Sequence, residues 1–169
     1  MGLRPEKIIA SDLTRAIQTA QALADISKLP IEIDAGLRET NGGKWEGKTG
    51  AQNRAEDYER FVTWLDGNDL PAGETGERRS EIAARAVSAI ERALGEIETL
   101  IVVTHGGTAR TVIGKMLELP MNQWSTIGGL SNASWSILER GAFHRDGWVL
   151  LEHNAGSLPE PIYGEESGA

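Results

Sequence analysis

The stretch that most constrains the fold is TLIVVTHGGTARTVIGKMLEL, residues 99–119. It begins with a run of aliphatic, largely β-branched residues, which is typical of a buried strand in a parallel sheet. The run ends at His105, two glycines follow, and Val112, Ile113 and Met116 then recur at helical spacing. A strand that leads directly into a helix is the repeating unit of α/β folds, so the stretch predicts that class.

The rest of the chain repeats the same alternation of strands and helices. Apolar spacing predicts helices over 11–27, 51–65, 77–97 and 108–119, with Ser11 or Asp12 as the N-cap of the first. Short apolar runs predict strands over 6–11, 29–34, 99–104, 132–139 and 147–154, the last two as antiparallel neighbours at an edge. The expected architecture is therefore α/β layering around a mostly parallel sheet.

Length and composition set the broad class of protein. The 169 residues are enough for one domain, which we assign to 1–155, followed by an irregular tail over 156–169. A net charge of −8 argues against non-specific binding to nucleic acid or to an anionic membrane. The absence of cysteine, of a signal segment and of a long apolar run fits a cytoplasmic protein without disulfides.

His105 lies where a buried strand meets a helix, which is where open α/β sheets place their ligands. Gly106 and Gly107 allow a tight turn, and the helix that follows offers backbone N–H groups and the positive end of its dipole. An imidazole beside such a helix N-terminus can donate a hydrogen bond to a phosphate oxygen. The alternative interpretation is that His105 only ends its strand and points to water.

Arg15, in SDLTRAIQTA, falls in the first turn of its predicted helix. A cation there opposes the helix dipole at a cost of about 0.3–1 kcal/mol, so an anion nearby would explain it. It is equally consistent with an arginine that extends into solvent or pairs with Asp12.

The remaining candidate residues give weaker signals. Glu39 precedes a glycine loop and matters only if the fold brings it near His105, whereas Trp45 in that loop could form the wall of a pocket. His144 and His153 are interpreted as structural. The three histidines lack the spacing of metal ligands, so neither a metal nor a cofactor is expected.

Parts of the sequence also fit two other classes of protein, an α/β-hydrolase and a nucleotide-binding module. An oxyanion hole built from the HGG stretch would suit an α/β-hydrolase, but no G-x-S-x-G motif is present. GGKWEGKT, residues 42–49, fits the P-loop pattern for nucleotide binding. A P-loop should directly follow a strand, and several residues separate this one from the strand predicted at 29–34, which argues against it.

Four stretches together resemble the histidine phosphatase superfamily, the phosphoglycerate-mutase-like enzymes. They are IIASDLTRAIQTAQALA, LRETNGGKWEGKT, PAGETGE and IVVTHGG, and they occur in the family's order over most of the chain. Lys48 departs from the pattern, since the family usually has leucine there. The later stretch NQWSTIGGLSNASWSIL is similar to the glucosyl-3-phosphoglycerate phosphatases within that superfamily.

The resemblance implies a three-layer sandwich that hydrolyses phosphomonoesters of a small metabolite through a phosphohistidine. It implies that Arg15 clamps the phosphate, that His105 is the second histidine and that Glu39 protonates the leaving group. We add Ser11, Gly106 and Trp45 as candidate substrate-binding residues, and residues 51–79 would form the variable cap over the leaving-group pocket. Clustered donors suit phosphoryl transfer, which depends mostly on positioning and charge stabilisation.

The family's nucleophile comes from a strand that ends in R-H-G, and this sequence contains no R-H-G. The chain opens on what resembles the family's second strand, so we expect one β–α unit, on the order of 30 residues, to be absent. Two interpretations stay open: an active phosphatase shortened at its N-terminus, or a non-catalytic relative that binds a phosphorylated ligand or a protein partner. An incomplete sheet would expose an edge, so self-association as a homodimer is expected.

Overall fold

Three parallel strands form the central sheet, in the order β2-β1-β3. They are β1 (Lys7–Ala10), β2 (Ile31–Ile33) and β3 (Leu100–Val103). The computed structural model describes residues 4–141 and 147–156. β1 is the middle strand, and its register pairs Ile8 with Ile31 on one side and with Ile101 on the other.

Helices cover both faces of this sheet, because side chains along β1 alternate between the faces. Ile8 points to one face, where it packs with Ala16 and Ala20 of α1 (Thr14–Ser27). Ile9 points to the other face, where α4 (Arg79–Leu94) and α5 (Gly106–Met116) pack. The predicted three-layer α/β architecture is confirmed.

The segment over 51–65 differs from the single predicted helix. It forms two helices, α2 (Gly50–Glu56) and α3 (Tyr58–Leu65), which meet at Asp57. The backbone of Asp57 leaves helical geometry, at φ −142° and ψ 53°. Its carboxylate accepts a hydrogen bond from Trp45 and lies 3.7 Å from Arg60, so side-chain contacts compete with an unbroken helix.

The start of α1 also differs from the prediction. Neither Ser11 nor Asp12 caps the helix; the N-cap is Leu13, which makes no side-chain hydrogen bond to the helix. The two polar side chains have other partners, because Ser11 contacts His105 and Asp12 pairs with Arg38.

The last two strands form a separate antiparallel hairpin of β4 (Trp135–Arg140) and β5 (Trp148–Ala155). Their antiparallel pairing is as expected, but in the described residues they do not join the edge of the parallel sheet. Short 3₁₀ turns complete the structure at Ala35–Leu37, Gly43–Trp45 and Met121–Thr126. His144 and the tail beyond residue 156 lie outside the described residues. None of the described helices has the length and apolarity needed to span a bilayer.

The outer edge of β3 is open in the described part of the chain. The carbonyls of Thr99 and Val103 accept hydrogen bonds from the β1 side. In a parallel strand, neighbouring residues direct their backbone groups to opposite sides. Leu100 and Val102 therefore direct theirs away from β1, to a side on which no described strand pairs. Such an edge is a template for pairing with another chain.

We expect the chain to self-associate through this edge. Leu100→Pro removes an N–H that faces the open side, so the variant should remain monomeric at concentrations where the parent protein associates. Leu100→Ala is the matched control, since it loses the same packing but keeps the N–H, and it should still associate. Light scattering on a sizing column measures both. A parent protein that stays monomeric throughout, or an alanine variant that behaves like the proline variant, would contradict the expectation.

Candidate active site

His105 and Ser11 meet at the carboxyl end of the parallel sheet. Ser11 directly follows β1, His105 lies two residues after β3, and the two strands run side by side. His105 Nε2 lies 2.9 Å from Ser11 Oγ, and Ser11 is fully buried. The two side chains thus meet where adjacent parallel strands end.

Arg15 lies against the other nitrogen of the same imidazole. Its Nε donates to His105 Nδ1 at 3.2 Å. A guanidinium only donates, so Nδ1 is the accepting, unprotonated nitrogen and Nε2 carries the hydrogen that Ser11 accepts. The sequence left open a pairing of Arg15 with Asp12, but Arg15 contacts His105 and Asp12 binds a different arginine.

The surroundings of His105 favour its neutral form. Burial lowers the pKa of His105 most, and the positive charges of Arg15 and Arg85 lower it further. The negative charges of Glu39 and Asp12 act in the opposite direction without reversing the net shift. An oxyanion ligand would have to compete with Ser11 for the Nε2 hydrogen.

Glu39 bridges its own loop to the start of α5. Its Oε1 accepts from the N–H of Thr108 at 3.0 Å and from that of Thr40 at 2.9 Å. Its Oε2 accepts from the N–H of Gly107 at 3.1 Å. The carboxylate thus lies at the N-terminus of α5, where the helix dipole favours a negative charge. The fold brings Glu39 to the helix that begins immediately after His105.

These contacts correct one expectation about the glycines. The first N–H groups of α5 were expected to face a ligand, but those of Gly107 and Thr108 donate to Glu39. A Cβ at Gly107 would lie 2.8 Å from Oε1 of Glu39, so a larger residue there would displace the carboxylate from its present position. A Cβ at Gly106 would meet only the carbonyl of Leu130, at an ordinary 3.6 Å.

Asp12 and Arg38 join the two loops that flank the site. The guanidinium donates to both carboxylate oxygens, at 2.7 Å from Nε and 2.5 Å from Nη2. This bidentate contact lowers the pKa of Asp12. The ion pair joins two segments. One is the loop after β1 that leads to Arg15, and the other is the segment in which Arg38 directly precedes Glu39.

Arg85 and Glu77 form a second ion pair on the other side of the Glu39 loop. Arg85 Nε and Nη2 donate to the two oxygens of Glu77 at 2.7 and 2.9 Å. Burial raises the pKa of Glu77, but the hydrogen bonds from Arg85 and from the backbone N–H of Asn41 outweigh it, so the net pKa is lowered.

Trp45 lies among the helices of the predicted cap. Its ring packs edge-on against Phe61 and Trp64, with centroids 5.3 and 5.7 Å away, and only 8% of its surface is exposed. It lines a cavity of about 380 Å³ together with Asn53 and Arg60. No described hydrogen bond or ring contact joins it to His105, so the structure leaves its role in substrate binding a prediction.

The structure therefore brings Arg15, Ser11, His105 and Glu39 to one edge of the sheet, with Gly106 beside them and Trp45 in the cap. Sequence reasoning missed the ion pairs that hold the two loops. The position of Arg38 next to Glu39 could have drawn attention to it, but no local pattern links it to its partner Asp12, which is remote in sequence. Arg85 lies in the regular pattern of α4 and gave no signal.

The competing site types find no support in the described residues. Lys48 of the P-loop-like stretch pairs with Glu56, and a 3₁₀ turn, not a strand, precedes it. Among the residues that the structure describes, no group of three or more histidine, aspartate or glutamate side chains is placed to hold a metal ion.

Comparison with known proteins identifies the family. The sequence model of the histidine phosphatase superfamily (branch 1) matches residues 1–156. Glucosyl-3-phosphoglycerate phosphatase of Mycolicibacterium vanbaalenii is 34% identical over 170 residues, which cover 90% of this chain and 75% of that protein. The enzyme of the same name from Mycobacterium tuberculosis is 35% identical over 146 residues, which cover 80% of this chain and 65% of that protein.

Solved structures agree with this assignment. A mycobacterial glucosyl-3-phosphoglycerate phosphatase in complex with inorganic phosphate superimposes with a TM-score of 0.78 at 33% identity, covering 90% of this chain and 78% of that one. The chain belongs to the histidine phosphatase superfamily, and its fold is phosphoglycerate-mutase-like, as the sequence motifs implied.

The contrast between the two glycines at the start of α5 gives a stability test. Gly107→Ala forces the Glu39 carboxylate away from its backbone donors, whereas Gly106→Ala adds only an ordinary contact. We expect Gly107→Ala to be less stable than Gly106→Ala by about 1 kcal/mol, since overpacking outweighs the better helix propensity of alanine. Urea denaturation measures both variants. Equal stability would mean that Glu39 does not hold the start of α5.

Proposed function

We propose that the cluster of Ser11, Arg15 and His105 binds the phosphoryl group of a small phosphorylated metabolite. The observation that carries this proposal is the contact of Arg15 with His105, which puts a permanent cation beside an imidazole at one strand end. Phosphoryl groups are recognised by such clustered donors. The membership of the family supports the same assignment.

The reaction we propose is hydrolysis of a phosphomonoester through a phosphohistidine. A nucleophilic imidazole nitrogen attacks phosphorus while the ester P–O bond breaks, and Glu39 gives its proton to the departing oxygen. Water then attacks phosphorus, the P–N bond breaks, and Glu39 takes a proton from that water. Oε2 of Glu39 accepts only the Gly107 N–H among the described contacts, so this oxygen is the better placed to carry the proton.

The nucleophile is the part of this scheme that the printed sequence does not supply. It has no R-H-G; His105 is assigned to the phosphate, and His153 bonds to Ser136 and to the carbonyl of Gly128. We therefore predict that the chain as printed binds phosphate without turnover. The absence of R-H-G from the printed sequence also favours the second candidate, a non-catalytic relative that binds a phosphorylated ligand or a protein partner.

The substrate we propose to test first is glucosyl-3-phosphoglycerate, because relatives at 34% and 35% identity are named for its hydrolysis. The predicted cap, residues 51–79, would contact the leaving group and so select among phosphoesters.

Phosphatase assays on two forms of the protein separate the candidates. We expect turnover from a form that carries an added N-terminal β–α unit whose strand ends in R-H-G, and none from the printed chain. In the extended form, His105→Gln should reduce kcat/KM by about a hundredfold or more, because a preorganised donor to the phosphoryl oxygens is lost. His153→Gln is the matched control and should leave activity unchanged. An extended form that binds phosphate but never hydrolyses an ester would favour the non-catalytic relative.

A further inference from the structure

Every N–H donor of the Arg85 guanidinium makes a hydrogen bond to another group of the protein. Beyond its two bonds to Glu77, Nη1 donates to the carbonyls of Gly36 and Arg38 at 2.7 and 2.8 Å. Nη2 also donates to the carbonyl of Glu39 at 3.3 Å. A guanidinium has five N–H donors, and these contacts account for all of them.

All three carbonyls belong to the loop that carries Glu39. The same loop is anchored again at Asn41, whose N–H donates to Glu77 Oε2 at 2.8 Å. The carbonyl of Asn41 accepts from the N–H of Glu77 at 2.9 Å. The ion pair therefore fixes the loop backbone on both sides of Glu39, and Glu77 joins that anchor to the end of the predicted cap.

The pair is also partly withdrawn from solvent. The side chains of Arg85 and Glu77 are 23% and 24% exposed. An exposed ion pair would contribute little, but removal of one partner here leaves the loop carbonyls and the other charge without their bonds. Lysine cannot replace the arginine, because an ammonium has three donors and no planar fork.

We propose that Arg85, held in place by Glu77, is a positioning residue that sets the Glu39 carboxylate against the start of α5, beside His105. The contacts that support it form one continuous path through the protein. Arg85 fixes the backbone of Glu39, and the side chain of Glu39 then reaches the N–H groups of Gly107 and Thr108. The functional consequence, correct placement of a proton donor, rests on the function proposed above.

The test measures the backbone N–H groups of Gly107 and Thr108, to which Arg85 makes no described hydrogen bond. In amide NMR spectra of the full chain, the signals of Gly107 and Thr108 should move in Glu39→Gln, because both N–H groups donate to the Glu39 carboxylate. In Arg85→Gln, both signals should move and their hydrogen exchange should be about tenfold faster. Arg85→Lys and Glu77→Gln should give smaller changes of the same kind.

Arg92→Lys is the matched control. Arg92 lies on the same helix and pairs with Asp34 at 2.8 Å, at the start of the Glu39 loop, without a described bond to residues 36–41. It should leave both signals unchanged, and thermal melts should show that every variant compared is folded. If Arg85→Gln is unfolded, Arg85→Lys and Glu77→Gln decide the question.

Wild-type Gly107 and Thr108 signals in the folded Arg85 and Glu77 variants would overturn the proposal. Changes of equal size in Arg92→Lys would overturn it as well. The measurement requires no turnover, so an extended form that never hydrolyses an ester, while the printed chain shows the expected changes, would contradict the proposed hydrolysis alone.

Discussion

The side-by-side pairing of β1 and β3 is the constraint on which the site depends. Because the two strands are parallel and in register from Lys7 with Leu100 onward, their carboxyl ends meet at one edge. Ser11 and His105 follow those ends and come within 2.9 Å of each other. The first turn of α1 then brings Arg15 to the same imidazole. Without this pairing, the three residues would share no surface.

The carboxylate of Glu39 occupies the N-terminus of α5, the position where a ligand anion was expected. A helix N-terminus is an anion site, and in this protein it already holds an internal anion through Gly107 and Thr108. An incoming phosphoryl group would therefore be bound mainly by the side chains of Arg15 and His105. The helix dipole would act through Glu39, by fixing where that carboxylate lies. Two ion pairs, Asp12 with Arg38 and Glu77 with Arg85, hold its loop from opposite sides.

The sequence predicted the parts of this arrangement that depend on local pattern. The strand before His105, the helix after Gly106 and the layering of α1 against the sheet follow from apolar spacing, and motifs pointed to Arg15 and Glu39. It did not predict the break at Asp57, where a tertiary contact with Trp45 competes with helix formation. Contacts across long stretches of chain have no local signature, and the bonds from Arg85 to the Glu39 loop span more than forty residues. The prediction that Ser11 or Asp12 caps α1 was wrong for the same reason, because both side chains bond to residues that are remote in sequence.

The central claim is that His105 and Arg15 bind one oxyanion, and the titration of His105 tests it most directly. In the protein without ligand, burial keeps the pKa of His105 below its usual value, so imidazole nitrogen NMR should show the neutral ring with hydrogen on Nε2 at pH 7. Inorganic phosphate should shift these signals and raise the pKa, because a nearby anion favours the charged ring. Arg15→Gln should weaken that response, and His153 should show none. Phosphate that leaves the His105 signals unchanged, or moves those of His153 equally, would contradict the account.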